Sequence, residues 1–297
     1  MDVRVIDSVL IMSGSVVDGD LGRVQEKLNE NPGIYTVVLR NSFGGDAPTG
    51  YRVGELFRER KLTTVVSGYC ISSCSRMFLG GIKRVYSDDY PAHRTYVGFH
   101  GHYKDPGVLD KTEVEKLGLY DWILKYSDGK ADPALVTKWI NIEKSNGMVA
   151  FFHPKSVLAS LGTVRMCLGT ELGGILACPV VNTDALERGV ATDLEYFSSP
   201  DKSALVHNLH QKYASSGYAD ILEISKLPLY SSAAIDNYRR YLAAPSPKAF
   251  AVFSDKRQWA WNAGDDAAAD TALQRCSERA NGKCTLYAVD DMVVYKP

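Results

Sequence analysis

The stretch IYTVVLRNSFGGD, residues 34–46, decides the fold class. Residues 34–39 are β-branched and apolar, a run typical of a strand buried on both faces of a parallel sheet. The run ends in polar and glycine-rich residues, which predict a loop. Asp46 or Thr49 can then cap a helix that begins after the loop. The order is strand, loop, helix.

The same order repeats downstream. Residues 62–66 predict a short strand, 67–70 a turn and 71–79 a helix, and further strands are predicted at 83–86 and 95–99. Successive β-α-β units predict an α/β domain with a mostly parallel sheet and right-handed crossovers. Sites in such sheets lie at the carboxyl ends of the strands.

Three segments are predicted along the chain. Residues 1–170 form the α/β domain, 171–245 an extension with weak periodicity that ends in a linker at 243–247, and 246–297 a small α+β module. The module is predicted as a hairpin, a helix and closing strands at 248–261, 267–279 and 285–294.

The composition limits the partners. The 297 residues carry a net charge of -1, and the scattered Lys and Arg give no positive patch for nucleic acid. No apolar run reaches the roughly 18 to 20 residues that span a bilayer. Residues 1–5 show no export signal, as expected of a cytoplasmic protein or of a mature domain without its leader.

The six cysteines fall into three local pairs, at 70 and 74, 167 and 178, and 276 and 284. They lack zinc-ligand spacing, so neither a metal nor another cofactor is expected. Disulfides would explain an even count in local pairs, which favours a periplasmic or secreted protein. Buried free thiols in a cytoplasmic protein are the alternative.

Three motifs occur in one order: Asn41-Ser42-Phe43-Gly44-Gly45, then Gly68-Tyr69-Cys70-Ile71-Ser72-Ser73-Cys74, then Gly98-Phe99-His100. They resemble the Clp protease proteolytic-subunit family of the ClpP/crotonase superfamily, which has an N-S-P-G-G loop, a Ser at a helix start and a His after a strand. The C-x-S-x-C variant is similar to exported bacterial relatives. The resemblance covers somewhat more than half of the chain and implies a ClpP/crotonase-like fold.

The resemblance also implies roles. Ser72 would be the nucleophile and His100 the general base, and the N–H groups of Gly44, Gly45 and Ser73 would form the oxyanion hole. The family has an Asp some fifty residues beyond the His. Asn146 is the best match for that third position in this sequence.

Other residues compete for these roles. Ser73 and Ser75 neighbour the nucleophile, His93 and His102 neighbour the base, and Glu143 is the carboxylate alternative to Asn146. A thiolate from Cys70 or Cys74, or a Ser-Lys centre using Lys83, would be a different chemistry.

The predicted function is a serine-type hydrolase that cleaves a peptide or protein substrate. The chain has no G-x-x-x-x-G-K-[ST] motif, so the peptidase would be ATP-independent. The resemblance implies a homo-oligomer. The alternative is a binding or scaffold protein of the cell envelope that keeps the fold without turnover, and acyl-CoA chemistry is disfavoured because it does not require this Ser and His.

Overall fold

The computed structural model describes residues 1–104, 107–156, 158–171, 175–203, 205, 213–244, 247–253, 255, 257–263 and 268–297. The chain divides into two compact units. Unit 1 comprises Met1–Thr170 and Cys178–Ser203, and unit 2 comprises Glu171–Ala177 and Ala204–Pro297. Every helix within the described ranges is too short or too polar to traverse a lipid bilayer.

A nine-stranded sheet forms the centre of unit 1. Its main path is β1 (Asp2–Ile6), β2 (Val9–Ser13), β3 (Thr36–Ser42), β4 (Thr63–Ile71), β6 (Tyr96–Phe99), β9 (Met148–Phe152) and β10 (Val164–Cys167), with β5 (Lys83–Ser87) and β11 (Tyr196–Phe197) branching from β4. The pairs among β2 to β6 and β11 are parallel, whereas β1, β9 and β10 pair antiparallel. Strands β7 (Tyr103–Lys104) and β8 (Val108–Leu109) form a separate antiparallel pair. The predicted α/β class with a mostly parallel sheet is confirmed.

β4 has two different neighbours on one of its edges. Thr63 to Val66 pair with β5, and Tyr69 to Ile71 pair with β6. Gly68 lies at the junction with a φ of 71°, and a β-carbon there would stand 1.9 Å from the Asn41 amide oxygen. The predicted turn at 67–70 is therefore wrong, because the glycine allows a close approach within a continuing strand.

Helices cover the sheet of unit 1. They are α1 (Asp20–Glu30), α2 (Ala47–Glu59), α3 (Ser73–Gly80), α4 (Lys111–Lys116), α5 (Leu119–Tyr126) and α6 (Pro133–Ile140). Asp46 caps α2, since its carboxylate accepts a hydrogen bond from the Thr49 N–H at 2.9 Å. All eight residues of α3 are buried, so this helix has almost no freedom to shift.

A buried charge network ties three neighbouring parallel strands together. Arg40 on β3 donates to Asp89, which follows β5, at 3.1 Å, and Ser67 on β4 donates to the same carboxylate at 2.6 Å. Asp201 pairs with Arg40 at 2.8 Å from the other side. The side chain of Asp89 is fully buried, so its charge depends on these donors.

Unit 2 contains an antiparallel sheet in the order β13 (Gln258–Ala263), β12 (Lys248–Phe253), β14 (Thr285–Val289) and β15 (Met292–Val293), with helices α7 (Ser232–Ala243) and α8 (Ala268–Ala280). One core contains the aromatic rings of Tyr238, Tyr241, Phe250 and Tyr287, and the other packs alanines of the sheet and α8 around Cys276. The predicted hairpin, helix and closing strands are confirmed. Residues 254 and 256 of the predicted hairpin, residue 267 of the predicted helix and residues 245 and 246 of the predicted linker lie outside the described ranges.

The six cysteines form three disulfides, Cys70–Cys74, Cys167–Cys178 and Cys276–Cys284. These are the local pairs predicted from the sequence. Disulfides persist in oxidising compartments and are rare in the cytosol, so the pairing is consistent with an oxidising compartment.

Candidate active site

Ser72 has an unusual backbone conformation. It joins the last residue of β4 to the first residue of α3 with φ 58° and ψ -128°. A residue with a β-carbon in this region costs about 1 to 3 kcal/mol, and such residues cluster at active sites. A strand-to-helix turn of this kind is how α/β hydrolases expose a serine hydroxyl.

Solvent access distinguishes the three adjacent serines. Ser72 is half-buried, whereas Ser73 and Ser75 are buried. The Ser75 hydroxyl donates to the Ser72 carbonyl at 2.6 Å. Of the three hydroxyls, that of Ser72 is thus the most accessible to a substrate.

Local contacts hold the Ser72 turn in place. The Ser72 N–H donates to the Gly98 carbonyl of β6 at 3.1 Å, and the Ser75 N–H donates to the Ser72 carbonyl at 2.9 Å. The Cys70–Cys74 disulfide closes a five-residue loop around Ser72. The strained residue is therefore fixed from both the strand and the helix.

The glycine loop packs against this turn. A β-carbon on Gly44 would stand 2.6 Å from the Ser72 β-carbon and 2.8 Å from the Ser73 nitrogen, so only glycine fits. The loop is anchored to Val16, whose N–H donates to the Gly44 carbonyl at 2.8 Å and whose carbonyl accepts from Asp46 at 2.9 Å. The structure thus brings the first two sequence motifs together.

Two backbone N–H groups are left as donors beside Ser72. The Gly44 N–H is already used, because it donates to the Ser42 hydroxyl at 3.2 Å. Within the described ranges, no hydrogen bond uses the N–H of Gly45 or of Ser73. Ser73 begins α3, whose first-turn N–H groups favour negative charge.

His100 follows β6 and is 7% exposed. Its Nδ1 lies 2.8 Å from the Gly101 carbonyl oxygen. A carbonyl can only accept, so Nδ1 carries the proton and Nε2 has a free lone pair. Burial, followed by the positive charge of Arg76, lowers the pKa of His100 to about 3. The imidazole is therefore neutral near pH 7.

The sheet places Ser72 and His100 at adjacent strand ends. Ile71 pairs with Gly98, so Ser72 lies one residue beyond this pair and His100 two residues beyond it. Among the hydrogen bonds of the described side chains, none joins the Ser72 hydroxyl to the His100 imidazole. Such bonds are often long in unliganded enzymes and tighten when substrate binds.

Among the described residues, Asn146 makes no hydrogen bond to His100. Its side chain is exposed, and its amide donates to the Gly169 carbonyl at 3.0 Å. Glu143 is also exposed. Since the Gly101 carbonyl occupies Nδ1 of His100, the structure gives neither Asn146 nor Glu143 the orienting contact predicted from the sequence.

The remaining competitors have other partners. His102 is buried with its Nε2 2.9 Å from the Tyr51 hydroxyl, and His93 lies in the 3-10 turn Ala92–Arg94. Lys83 forms ion pairs with Asp193 and Glu195 at 2.9 and 3.1 Å. Cys70 and Cys74 are disulfide-bonded and supply no thiolate.

Known proteins offer little guidance. No protein-family profile and no curated protein match the chain. Similar solved structures include ClpP1 from Listeria monocytogenes, 12% identical with a TM-score of 0.36, over 65% of this chain and 93% of that chain. A point mutant of ClpP1 from that organism is 13% identical with a TM-score of 0.39, over 66% and 94% of the two chains. Similarities this slight assign no function.

Two groups of the site were not singled out from the sequence. One is the Gly101 carbonyl, a backbone group that every residue possesses and that no sequence pattern marks. The other is Arg76, whose guanidinium donates to the carbonyls of both Ser72 and His100. An arginine inside the otherwise uncharged run SCSRMFLG is the signal that could have drawn attention to it.

Proposed function

We propose that unit 1 is a serine-type hydrolase, an ATP-independent peptidase with Ser72 as its nucleophile. The observation that carries the proposal is the backbone of Ser72, at φ 58° between β4 and α3. Glycine would adopt this conformation at less cost, so a serine here is best explained by its hydroxyl.

The chemistry follows from the surrounding atoms. Nε2 of His100 accepts the hydroxyl proton as Ser72 Oγ attacks the carbonyl carbon of a peptide bond. The oxyanion that forms accepts hydrogen bonds from the N–H groups of Ser73 and Gly45. Collapse releases the amine, which takes the proton from Nε2, and water then cleaves the acyl-enzyme by the same steps.

The Gly101 carbonyl takes the part proposed earlier for Asn146. It accepts the Nδ1 proton of His100 and so holds the imidazole in its reactive tautomer. A neutral carbonyl stabilises the imidazolium less than a carboxylate does, and the lowered pKa of His100 makes it a weak base. We therefore expect turnover to be slow compared with enzymes that have a complete triad.

The three disulfides support a periplasmic or secreted location. A homo-oligomer is part of the same proposal and rests on the sequence resemblance alone. A Ser-His centre with a backbone oxyanion hole needs no cofactor. The proposed substrate is a peptide or a protein.

A fluorophosphonate probe tests the proposal, because it phosphonylates an activated serine without knowledge of the substrate. We expect the wild-type protein to be labelled, peptide mapping to place the label on Ser72, and Ser72→Ala to abolish it. Ser156→Ala, which removes a buried serine elsewhere in unit 1, is the control and should be labelled like the wild type. Labelling that persists in Ser72→Ala would refute Ser72 as the nucleophile. A wild-type protein that is not labelled would favour the alternative, a binding or scaffold protein without turnover.

A further inference from the structure

One guanidinium connects the two halves of the proposed centre. Nη1 of Arg76 donates to the Ser72 carbonyl at 2.5 Å, and Nη2 donates to the His100 carbonyl at 2.7 Å. Ser72 precedes α3 and His100 follows β6, so the bonds from Arg76 join the two elements.

The fork of arginine makes this connection rigid. The two Nη atoms belong to one planar group with fixed geometry, so the two carbonyl oxygens cannot separate without breaking a hydrogen bond. A lysine has a single ammonium on a flexible chain and cannot reproduce that spacing. The fork of Arg76 thus adds a side-chain link to the Ser72–Gly98 hydrogen bond and the pairing of β4 with β6, which already join the two segments.

Burying the charged side chain of Arg76 costs the folded state free energy. Its side chain is fully buried, and its guanidinium donates to carbonyls and to the Ser75 hydroxyl at 3.0 Å, while its Nε has no partner among the described atoms. Burial lowers the pKa of Arg76, because the charged guanidinium loses contact with water. The guanidinium also supplies donors to the carbonyls of Ser72 and His100, which an apolar side chain would leave without these donors.

We propose that Arg76 is the positioning residue of this centre: its guanidinium holds the Ser72 turn and the His100 backbone at the separation that lets the imidazole receive the hydroxyl proton. This inference rests on the proposed function. Arg76 acts through the two carbonyls and touches no substrate atom.

The positive charge of Arg76 also affects the pKa of His100, which gives a second measurable effect of replacing it. The groups that face His100 are Arg76 from α3, the Tyr103 ring at a centroid distance of 5.0 Å and, further along the loop, His102 with its partner Tyr51 from α2. Burial raises the pKa of Tyr103 to about 12, so this phenol is neutral near pH 7. Replacing Arg76 by a neutral side chain should therefore let the His100 pKa rise.

The test measures the rate of fluorophosphonate labelling against pH in the wild type, Arg76→Lys and Arg76→Gln. The wild-type rate should not fall between about pH 8 and pH 5, because the base stays neutral. Both variants should be labelled at least about tenfold more slowly at pH 8. The acidic fall of the rate should move to higher pH in Arg76→Gln and stay low in Arg76→Lys, which keeps the charge.

Arg84→Lys is the matched control, since Arg84 is as deeply buried and also donates to carbonyls, those of Gly81, Val190 and Gly189. It should lose stability and keep its labelling rate. Variants of Arg76 labelled at the wild-type rate with an unchanged pH profile would overturn the inference and leave the proposed function intact. A wild-type protein that is not labelled would refute both the inference and the proposed function.

A measurement on the wild type covers the case in which Arg76 variants fail to fold. The ¹⁵N signals of the His100 imidazole should report the Nδ1–H neutral form at pH 5 and above. Titration near the ordinary value of about 6.5 would show that Arg76 does not face a buried imidazole and would overturn the inference.

Discussion

The α-carbon of Gly44 lies against the β-carbon of Ser72, so closely that a methyl group on residue 44 would stand 2.6 Å from it. Gly44 also has a φ of +87°, which disfavours any other residue. We expect Gly44→Ala to displace the Ser72 turn and to lower the labelling rate by about a hundredfold or more.

Gly14→Ala is the control for Gly44→Ala. Gly14 has a similar φ of +83°, but nothing lies within 4 Å of a β-carbon there. Both variants should lose about 1 to 2 kcal/mol of unfolding free energy from the backbone alone. Equal labelling of the two variants would mean that the contact between Gly44 and Ser72 has no part in the chemistry.

The Cys70–Cys74 disulfide should sustain activity as well as stability. It closes the loop that contains Ser72, so replacing both cysteines by alanine frees the turn to relax from φ 58°. We expect labelling to slow by about fivefold or more. The double alanine variant at Cys276 and Cys284 in unit 2 removes a disulfide as well and should be labelled like the wild type.

Acid should destabilise the fold through two buried histidines. Burial, then Arg76, lowers the pKa values of His100 and His102 to about 3, whereas an unfolded histidine titrates near about 6.5. Below pH 6.5 the unfolded chain therefore binds protons that the folded chain does not, and the unfolding free energy falls as the pH drops toward 3.

Urea unfolding at pH 7 and pH 4.5 measures this effect. Each histidine should contribute a loss on the order of 1 to 3 kcal/mol. His100→Gln and His102→Gln should each reduce the difference in unfolding free energy between the two pH values. A wild-type unfolding free energy that is equal at the two pH values would contradict the prediction.

The buried Arg40–Asp89 pair should contribute far more to the free energy of unfolding than the exposed Arg4–Asp201 pair. Asp89→Ala leaves the buried Arg40 with the Asp201 carboxylate and the Ser67 hydroxyl, and we expect a loss of about 3 kcal/mol. Arg4 also pairs with Asp201, at 2.8 Å, but is 46% exposed, so Arg4→Ala should cost less than about 1 kcal/mol. Thermal unfolding of the two variants gives the comparison, and similar losses would contradict it.

The local elements of the fold follow largely from the sequence. Residues 36–39 of the run at 34–39 lie in the buried parallel strand β3, which extends to Ser42, and residues 43–46 lead into α2 with Asp46 as its cap. The apolar residues at 3–16 fit one continuous strand, but they form the hairpin of β1 and β2, because Asp7 takes a positive φ in the turn. A short-range pattern of apolar residues does not show such a reversal.

Pairing between strands that are distant in the sequence explains other differences between the predicted and the observed elements. The run MVAFF forms β9, which inserts antiparallel between β6 and β10 and was not predicted. The pattern at 155–161 fits a short helix, but the structure forms only the 3-10 turn Ala159–Leu161 there, with residue 157 outside the described ranges. A five-residue apolar run fits a strand or a helix, and its partners across the sheet decide which it becomes.

The candidate site divides in the same way. The places of Ser72, His100 and the glycine loop at strand ends could be predicted from the sequence through the family resemblance, and their catalytic roles stay predictions. The orienting group of His100 could not be predicted, because a spacing of some fifty residues fixes no contact in space. The backbone carbonyl of Gly101, which makes that contact, has no identity at the level of sequence.

The divided edge of β4 determines how the two proposed catalytic side chains could be separated. Three residue pairs and the fork of Arg76 join β6 to the end of β4, whereas β5 pairs with the first half of β4 and β3 pairs along its length. Local opening of β6 would withdraw His100 and would also remove the Gly98 carbonyl that accepts the Ser72 N–H. Under the proposed function, opening this edge would inactivate the enzyme while the other strands stay paired.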